Sequence, residues 1–371
     1  MASIEIVPVR SSRDANAFLD YPYTHYRHYE HWVAPLRMDQ KCLFDPHRHP
    51  FYKHAEMGRF LARRNGRTVG RVAAIWDRNF NEFHQVKAGF FGFYESEDSP
   101  DVAQALLGTA REWLNQRGAE FLRGPVNPST NYECGMLVDG FDADPFVMMP
   151  YNPPYYPRLM EDAGGRKAKD LLAYVGRHDQ PRTDKIARVA RTASEDGRFS
   201  LRPIRMREFW TEVDRIWKVY NSAWSRNWGF VPATREEFLF LAKEMKPLVK
   251  PELLLLGEVD GEVVAFALAL PDVNQALKHA HGRLFPWGLL KILYHQRHIR
   301  GCRVLTLGVV ENRRTAGVAA AMYLALIDAA KRLDYGDCEF GWVLEDNILM
   351  NRSLRALGAR LHKVYRIYEW T

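Results

Sequence analysis

The residues best placed to do chemistry are Arg314-x-x-Gly317-x-Ala319. They follow a continuous β-branched run, VLTLGVV (304–310), of the kind that forms a buried strand. They lead into a segment in which Val318, Met322, Ala325, Leu326 and Ala329 recur at helical spacing. Small residues at a strand-to-helix turn let the backbone approach a ligand closely. The N–H groups of a helix's first turn have no partner inside the helix, and the positive end of its dipole adds to them, so such a turn suits a phosphate. Arg313 and Arg314 add charge.

Other candidates lie apart in the sequence. The aromatic loop NSAWSRNWGFVPA (221–233) offers Trp224, Asn227, Trp228 and Phe230, which could line an apolar acceptor pocket or pack between helices. A long loop at 124–157, dense in Pro, Gly, Asn and aromatics, carries Tyr132 and Glu133 as its polar candidates. Glu345 is a candidate base beyond the strand Cys338–Leu344. Histidines crowd the N-terminal stretch (His25, His28, His31, His47, His49, His54); His25 and His28 have the i,i+3 spacing of a metal pair, but with no cysteine beside them and no HExxH the stretch predicts a solvated aromatic surface, not a metal site. Cys42, Cys134, Cys302 and Cys338 form no CxxC pair, which predicts neither zinc nor a disulfide framework and fits a reducing cytoplasm.

The elements that must position these residues are written twice. IVPVR (6–10) answers LRPIR (201–205), with Pro8/Pro203 and Arg10/Arg205 each 195 apart. Two β-rich runs around Asn65-Gly66 answer two around Asp260-Gly261, again 195 apart, and both read as hairpins. Gly164 and Gly358 each close a short helical pattern before a strand. Each half predicts strand, helices, hairpin, strand, long helix, strand, short helix, strand: an α+β unit around a mixed, mostly antiparallel sheet. The expected boundaries are 1–176 for the first unit, a polar linker at 177–198, and 199–371 for the second.

Strand, R-x-x-G-x-A turn, long helix, strand, Asn347 and a short helix ending at Gly358 together resemble the GNAT acyltransferase superfamily. The resemblance covers 199–371 and extends through the repeat to 1–175. It implies a coenzyme A thioester as co-substrate and an amine as acceptor, with no metal. Val309 and Val310 would end the bulged strand that holds the pantetheine arm. The backbone of Arg314, Thr315, Ala316, Gly317, Val318, Ala319 and Ala320 would take the pyrophosphate, and Asn347 would stand near the leaving thiol. Many members protonate that thiol with a Tyr four residues before the closing Gly. Here that position is Leu354, so Tyr365, Tyr368 or water must serve. Glu345 and Glu133 are the candidate bases, and Trp224, Asn227, Trp228 and Tyr132 the candidate acceptor-binding residues. In the first half the phosphate position reads FYESEDSPD (93–101), whose carboxylates repel phosphate, so that half is expected to be degenerate.

Composition fits this reading. The chain has 371 residues, 47% hydrophobic and 26% charged, ordinary for a globular protein. Its N-terminus predicts no secretory leader, and no apolar run is long enough to span a membrane. The formal charge of +7 is concentrated. From Val273 to Val310 there is no acidic residue, while Lys278, Arg283, Lys291, Arg297, Arg300 and Arg303 are basic. This stretch contains the extra residues of the second half (272–302), including LFPWGLLKILYHQRHIRG. It has the composition of a helix lying in a membrane interface (284–300), or of a helix packed on the protein with a solvated basic end. One basic segment is narrower than a nucleic-acid surface requires. A tandem unit with a Pro-Trp-Gly basic insertion is similar to the bacterial ceramide synthases, which implies a long-chain amine as acceptor, a cytoplasmic location and peripheral membrane contact. An acetyltransferase for a small amine or peptide N-terminus, and a non-catalytic GNAT-fold interaction protein, are the alternatives.

Overall fold

The computed structural model describes residues 3–180, 184–194, 199–310 and 316–371. They form two compact units, one of residues 1–170, 277–293 and 363–371, the other of 171–276 and 294–362. Each compact unit draws on separate stretches of the chain, so the units interleave across the expected boundaries at 176 and 199. The insertion's 277–293 segment and the last strand of the second repeat belong to unit 1, and most of the last strand of the first repeat belongs to unit 2.

The first repeat runs β1 (Ile4–Pro8), α1 (Ser12–His25), α2 (Arg37–Leu43), β2 (Ala55–Arg64), β3 (Arg67–Asp77), α3 (Arg78–His84), β4 (Ala88–Ser96) and α4 (Pro100–Asn115). It continues with β5 (Phe121–Gly124), β6 (Val126–Asn127), β7 (Glu133–Cys134), β8 (Met136–Asp139), α5 (Tyr156–Asp162) and β9 (Arg166–Arg177). Helix α6 (Asp184–Ser194) precedes the second repeat: β10 (Phe199–Pro203), α7 (Phe209–Trp224), α8 (Arg235–Met245), β11 (Leu254–Val259) and β12 (Glu262–Pro271). After α9 (Asn274–Leu277) and α10 (Gly288–His295) come β13 (Gly301–Val309), α11 (Ala316–Arg332), β14 (Asp337–Leu344), α12 (Ile348–Ala356) and β15 (Arg360–Trp370).

Unit 1 carries the strand order β1-β2-β3-β4-β5-β15 and unit 2 the order β9-β14-β13-β12-β11-β10. All of these pairings with a described register are antiparallel except β4–β5 and β13–β14. The fold is therefore α+β with mixed, mostly antiparallel sheets. The repeat is visible in detail. Both hairpins turn through two residues of positive φ, Asn65-Gly66 (52° and 75°) and Asp260-Gly261 (53° and 80°), as a type I′ turn requires. Each hairpin also shifts register at the same repeat position, after Ala62 and after Gly257.

The core of unit 1 packs α4 (Val102, Leu106, Leu107, Ala110) on β2–β4 with Tyr368 and Trp370 of β15. In unit 2, α7 (Phe209, Val213, Ile216, Val219) packs on Leu254, Leu256 and Phe266. The polar linker expected at 177–198 contains a helix, because Ile186 and Ala190, one turn apart, are buried and α6 packs on α11. The many charges around this short apolar stripe hid it in the sequence.

Candidate active site

Parallel pairing of β13 with β14 runs only from Gly301/Asp337 to Val304/Phe340. Beyond that point β13 stays with β12 as far as Val309, while β14 stays with β9 through Leu344. A bulge at Leu305, where Leu268 faces Thr306 and Ala269 faces Val304, bends β13 where the strands part. The base of the resulting V is clamped by the buried pair Arg303–Glu339 (3.3 Å), with Arg303 also donating to the Gly341 carbonyl (2.8 Å).

A cleft of about 520 Å³ of empty space lies in this V, entirely within unit 2. Thr306 and Leu307 line one strand wall, Gly341–Leu344 the other, and Phe340 the apex. Trp224 and Asn227 close one side; Tyr323, Asn347 and Met350 close another. Trp224 is held flat on β13 because position 308 is glycine: a Cβ there would stand 2.3 Å from the indole. Asn221 fixes the following loop by pairing with both the N–H and the carbonyl of Ala233.

Pantetheine is an extended chain that carries amides, and two features of the cleft match it. Thr306 lines the cleft, and the Thr306 hydroxyl is buried and without a hydrogen-bond partner among the described residues. Strand edges that part after Val304 leave backbone groups turned to the gap. Both features suit a chain carrying amides, so the residues present fit an acyl-CoA arm.

Of the residues expected from sequence, Trp224, Asn227 and Asn347 meet at this cleft. Asn347 also caps α12, its side chain accepting from the Met350 N–H at 3.2 Å. Val309 is buried at the end of β13, and the Val310 N–H is taken by the Val264 carbonyl (2.9 Å). Gly317 and Val318 are buried and Ala319 and Ala320 half-buried in the first turns of α11, which begins at Ala316. Arg313, Arg314 and Thr315 lie outside the described residues. Trp228 is half-buried and does not line the cleft, and neither does Glu345, which sits in the turn after β14. Tyr132, Glu133, Tyr365 and Tyr368 belong to unit 1, with Tyr365 and Tyr368 wholly buried in β15. Sequence reasoning missed Thr306 and Tyr323. Thr306 read as one of a run of β-branched strand residues, and Tyr323 as one more position on an amphipathic helix.

Unit 1 has the same parting of strands, since β4 and β5 pair only at Ala88–Phe90 with Phe121–Arg123. Here the chain fills the gap itself. Asn127 accepts the Phe93 N–H (2.7 Å), and a Cβ on Gly92 would stand 1.7 Å from the Val126 carbonyl oxygen. Glu97 and Asp98 pair with Arg64 and Arg158. Glu95 is enclosed, accepting from Tyr26 (2.5 Å) and Tyr156 (2.9 Å) beside Arg71 (3.6 Å). Burial pushes its carboxyl above the ordinary range. His25 meets the Tyr156 hydroxyl at 3.1 Å, and burial, helped by Arg71, lowers its pKa to about 4. The histidines expected on a solvated surface are partly internal: His49 and His54 are buried, and His54 pairs with Asp77 at 2.9 Å. The histidines' described polar partners are tyrosines, carboxylates and backbone, and no cluster of metal-ligating side chains occurs among the described residues.

The insertion is anchored to unit 1 by Lys278–Asp144 (2.7 Å) and by the Arg37 N–H donating to the Gly282 carbonyl (3.0 Å). Past this anchor Phe285 is 76% exposed, Trp287 67%, Leu290 57% and Leu293 43%. Lys278, Arg300 and Arg303 are engaged with Asp144, Asp334 and Glu339, whereas Arg283, Lys291 and Arg297 are exposed. No described helix is long and apolar enough to cross a membrane.

A strand pair that parts at a bulge, followed by a helix that opens on Ala316 and Gly317, has the form of a GNAT unit, and unit 1 repeats the parted strands and the long helix without the small residues. Solved structures agree: a tandem GNAT protein from the clavulanic acid biosynthesis pathway superposes with a TM-score of 0.57 at 13% identity, covering 99% of this chain and 98% of that one. A GCN5-related N-acetyltransferase from Sphaerobacter thermophilus gives 0.54 at 14%, covering 99% and 95%. No established protein-family profile matches the chain. Its sequence is 34% identical to the bacterial ceramide synthase of Caulobacter vibrioides over 99% of this chain and 97% of that protein. It is 31% identical to protein YghO of Escherichia coli, over 97% and 93%. The chain belongs to the family of these two proteins and is an acyltransferase with a tandem GNAT fold.

Proposed function

We propose that the chain is an acyl-CoA-dependent N-acyltransferase whose acceptor is a long-chain, sphingoid-like amine presented at a membrane surface. The observation that carries the donor half is the parting of β13 and β14 around the unpartnered Thr306 hydroxyl. Arg314 and the backbone through Ala320 would meet the pyrophosphate, and the edges of β13 and β14 the pantetheine. The thioester supplies the activated acyl group. Backbone donors at the parted strands are suited to hold the negative charge that develops on its carbonyl oxygen as the amine attacks. The amine must arrive neutral, so a base or a water chain removes its proton; Glu345 and Glu133 are the carboxylates proposed for that role. Tyr132 and Trp228 are proposed with Trp224 and Asn227 on the acceptor side, and Tyr365 as a proton donor. Unit 1, its own gap filled, would bind no coenzyme A.

The acceptor half is supported by kinship to a ceramide synthase and by the insertion. Six large hydrophobic side chains exposed beside Arg283, Lys291 and Arg297 make an interfacial segment. Three available cations contribute about 3 kcal/mol at an anionic surface, at roughly 1 kcal/mol each. The protein would then work at the cytoplasmic face of the membrane, where both long-chain reactants partition. The test is a panel of acyl-CoA chain lengths against amines, run beside flotation with anionic vesicles. Palmitoyl-CoA with a long-chain amino alcohol should give the fastest amide formation. The protein should float, and Trp287→Ser, Leu290→Ser, Leu293→Ser together should abolish flotation. Faster consumption of acetyl-CoA with small amines by a protein that stays unbound would replace this reading with that of a small-amine acetyltransferase.

A further inference from the structure

In the strand–helix pattern of the second repeat the short helix lacks a tyrosine, because Leu354 is wholly buried in the core where a hydroxyl could have stood. A tyrosine nevertheless lines the cleft from another helix. Tyr323, in the second turn of α11, is the one titratable side chain lining it among the described residues. Its ring packs on Phe340 (centroids 5.8 Å apart), the residue at which β13–β14 pairing ends. Its hydroxyl donates to the Met350 Sδ at 2.9 Å. A thioether is a weak acceptor, so this buried phenol is held by a poor partner at the apex of the V.

We infer that Tyr323 is the hydrogen-bond donor to the sulfur that leaves during acyl transfer. The inference rests on the acyl-CoA reading above. As the C–N bond forms, the C–S bond breaks and its electron pair goes to sulfur. The amine's proton leaves to a base or water. The thiolate, held by the Tyr323 O–H, then takes up one proton through water, so the transfer balances from the neutral amine onward, and the proton that an ammonium sheds before attack is released to solvent. Burial pushes the phenol up, and it therefore stays protonated and able to donate throughout the neutral range. A thiolate is a far stronger acceptor than Met350, so the hydroxyl exchanges a weak bond for a charge-assisted one only when the leaving group develops charge.

The experiment compares wild type with Tyr323→Phe, which keeps the ring on Phe340. Calorimetric binding of coenzyme A and of desulfo-coenzyme A, which lacks the sulfur, is followed from about pH 6.5 to 9.5, the span over which a free thiol ionises. In wild type coenzyme A should gain about tenfold over the desulfo compound as the thiolate forms, and in Tyr323→Phe the two should bind alike. The kcat of the variant should fall about 100-fold with KM little changed, as for loss of one donor to developing charge. A variant that keeps the pH-dependent preference, or one that binds both compounds equally poorly, overturns the inference; the latter would mark Tyr323 as structural. Wild type that binds coenzyme A without any preference overturns the role of Tyr323 alone, whereas wild type that binds neither compound overturns the acyl-CoA reading with it.

Discussion

Thr306→Val separates the two demands placed on the cleft. Thr306 lines the cleft, and its hydroxyl is buried and has no hydrogen-bond partner in the described structure. A buried hydroxyl left unsatisfied costs about 1–3 kcal/mol. Valine has the same branching and nearly the same volume, so strand geometry and rotamer are preserved while that cost disappears. The ligand-free variant should therefore be more stable than wild type by about 1 kcal/mol, a rise of roughly 2–4 °C in the unfolding transition of a unit this size. Binding should move the other way. Losing one neutral hydrogen bond, worth about 0.5–1.5 kcal/mol, should weaken coenzyme A about three- to tenfold. Differential scanning calorimetry and isothermal titration read the two effects, with Thr306→Ser as the control that keeps the hydroxyl. A variant that melts lower, or that binds coenzyme A with undiminished affinity, would refute the assignment of this hydroxyl to the ligand.

Gly317 is buried in the first turn of α11, so Gly317→Glu sets bulk and negative charge against the expected pyrophosphate; titration should find one coenzyme A per wild-type chain and none per variant chain. A second site per chain would contradict a filled gap in unit 1. The His25 imidazole, lowered from 6.5 to about 4, stays neutral in the folded state, whereas the unfolded chain takes up its proton below 6.5. Its contribution to stability is thus complete above about pH 6.5 and lost as the pH falls towards about 4. Glu95, raised in the same cluster, acts in the opposite sense as the pH rises above the ordinary carboxylate value. Denaturant midpoints measured from pH 7 to 4 should fall less steeply for His25→Gln than for wild type, and an unchanged slope would exclude His25 as their source.

Local patterns carried most of the fold. Asn65-Gly66 and Asp260-Gly261 force their turns through backbone geometry alone, and the long helices follow from apolar periodicity, so both could be read directly. The strand ending at Val309 and the helix opening at Ala316 were legible for the same reason, because each is marked by a local pattern. The interleaving of the units was not legible. Which sheet receives β9 or β15 depends on long-range pairing that no local pattern encodes. Trp224 and Asn227 were found because aromatics cluster visibly, but Thr306 and Tyr323 gain meaning only where β13 and β14 part. The insertion was half legible: its apolar residues are exposed as composition suggested, yet two of its five Lys/Arg residues, Lys278 and Arg300, are engaged with carboxylates distant in sequence.

The most direct measurement incubates the wild-type protein with palmitoyl-CoA and a long-chain amino alcohol, following thiol release and amide formation in the same sample. One amide should appear for each thiol released, and both should vanish in Gly317→Glu. Thiol release without amide, or amide formation that survives in Gly317→Glu, would contradict acyl transfer to an amine through the cleft of unit 2.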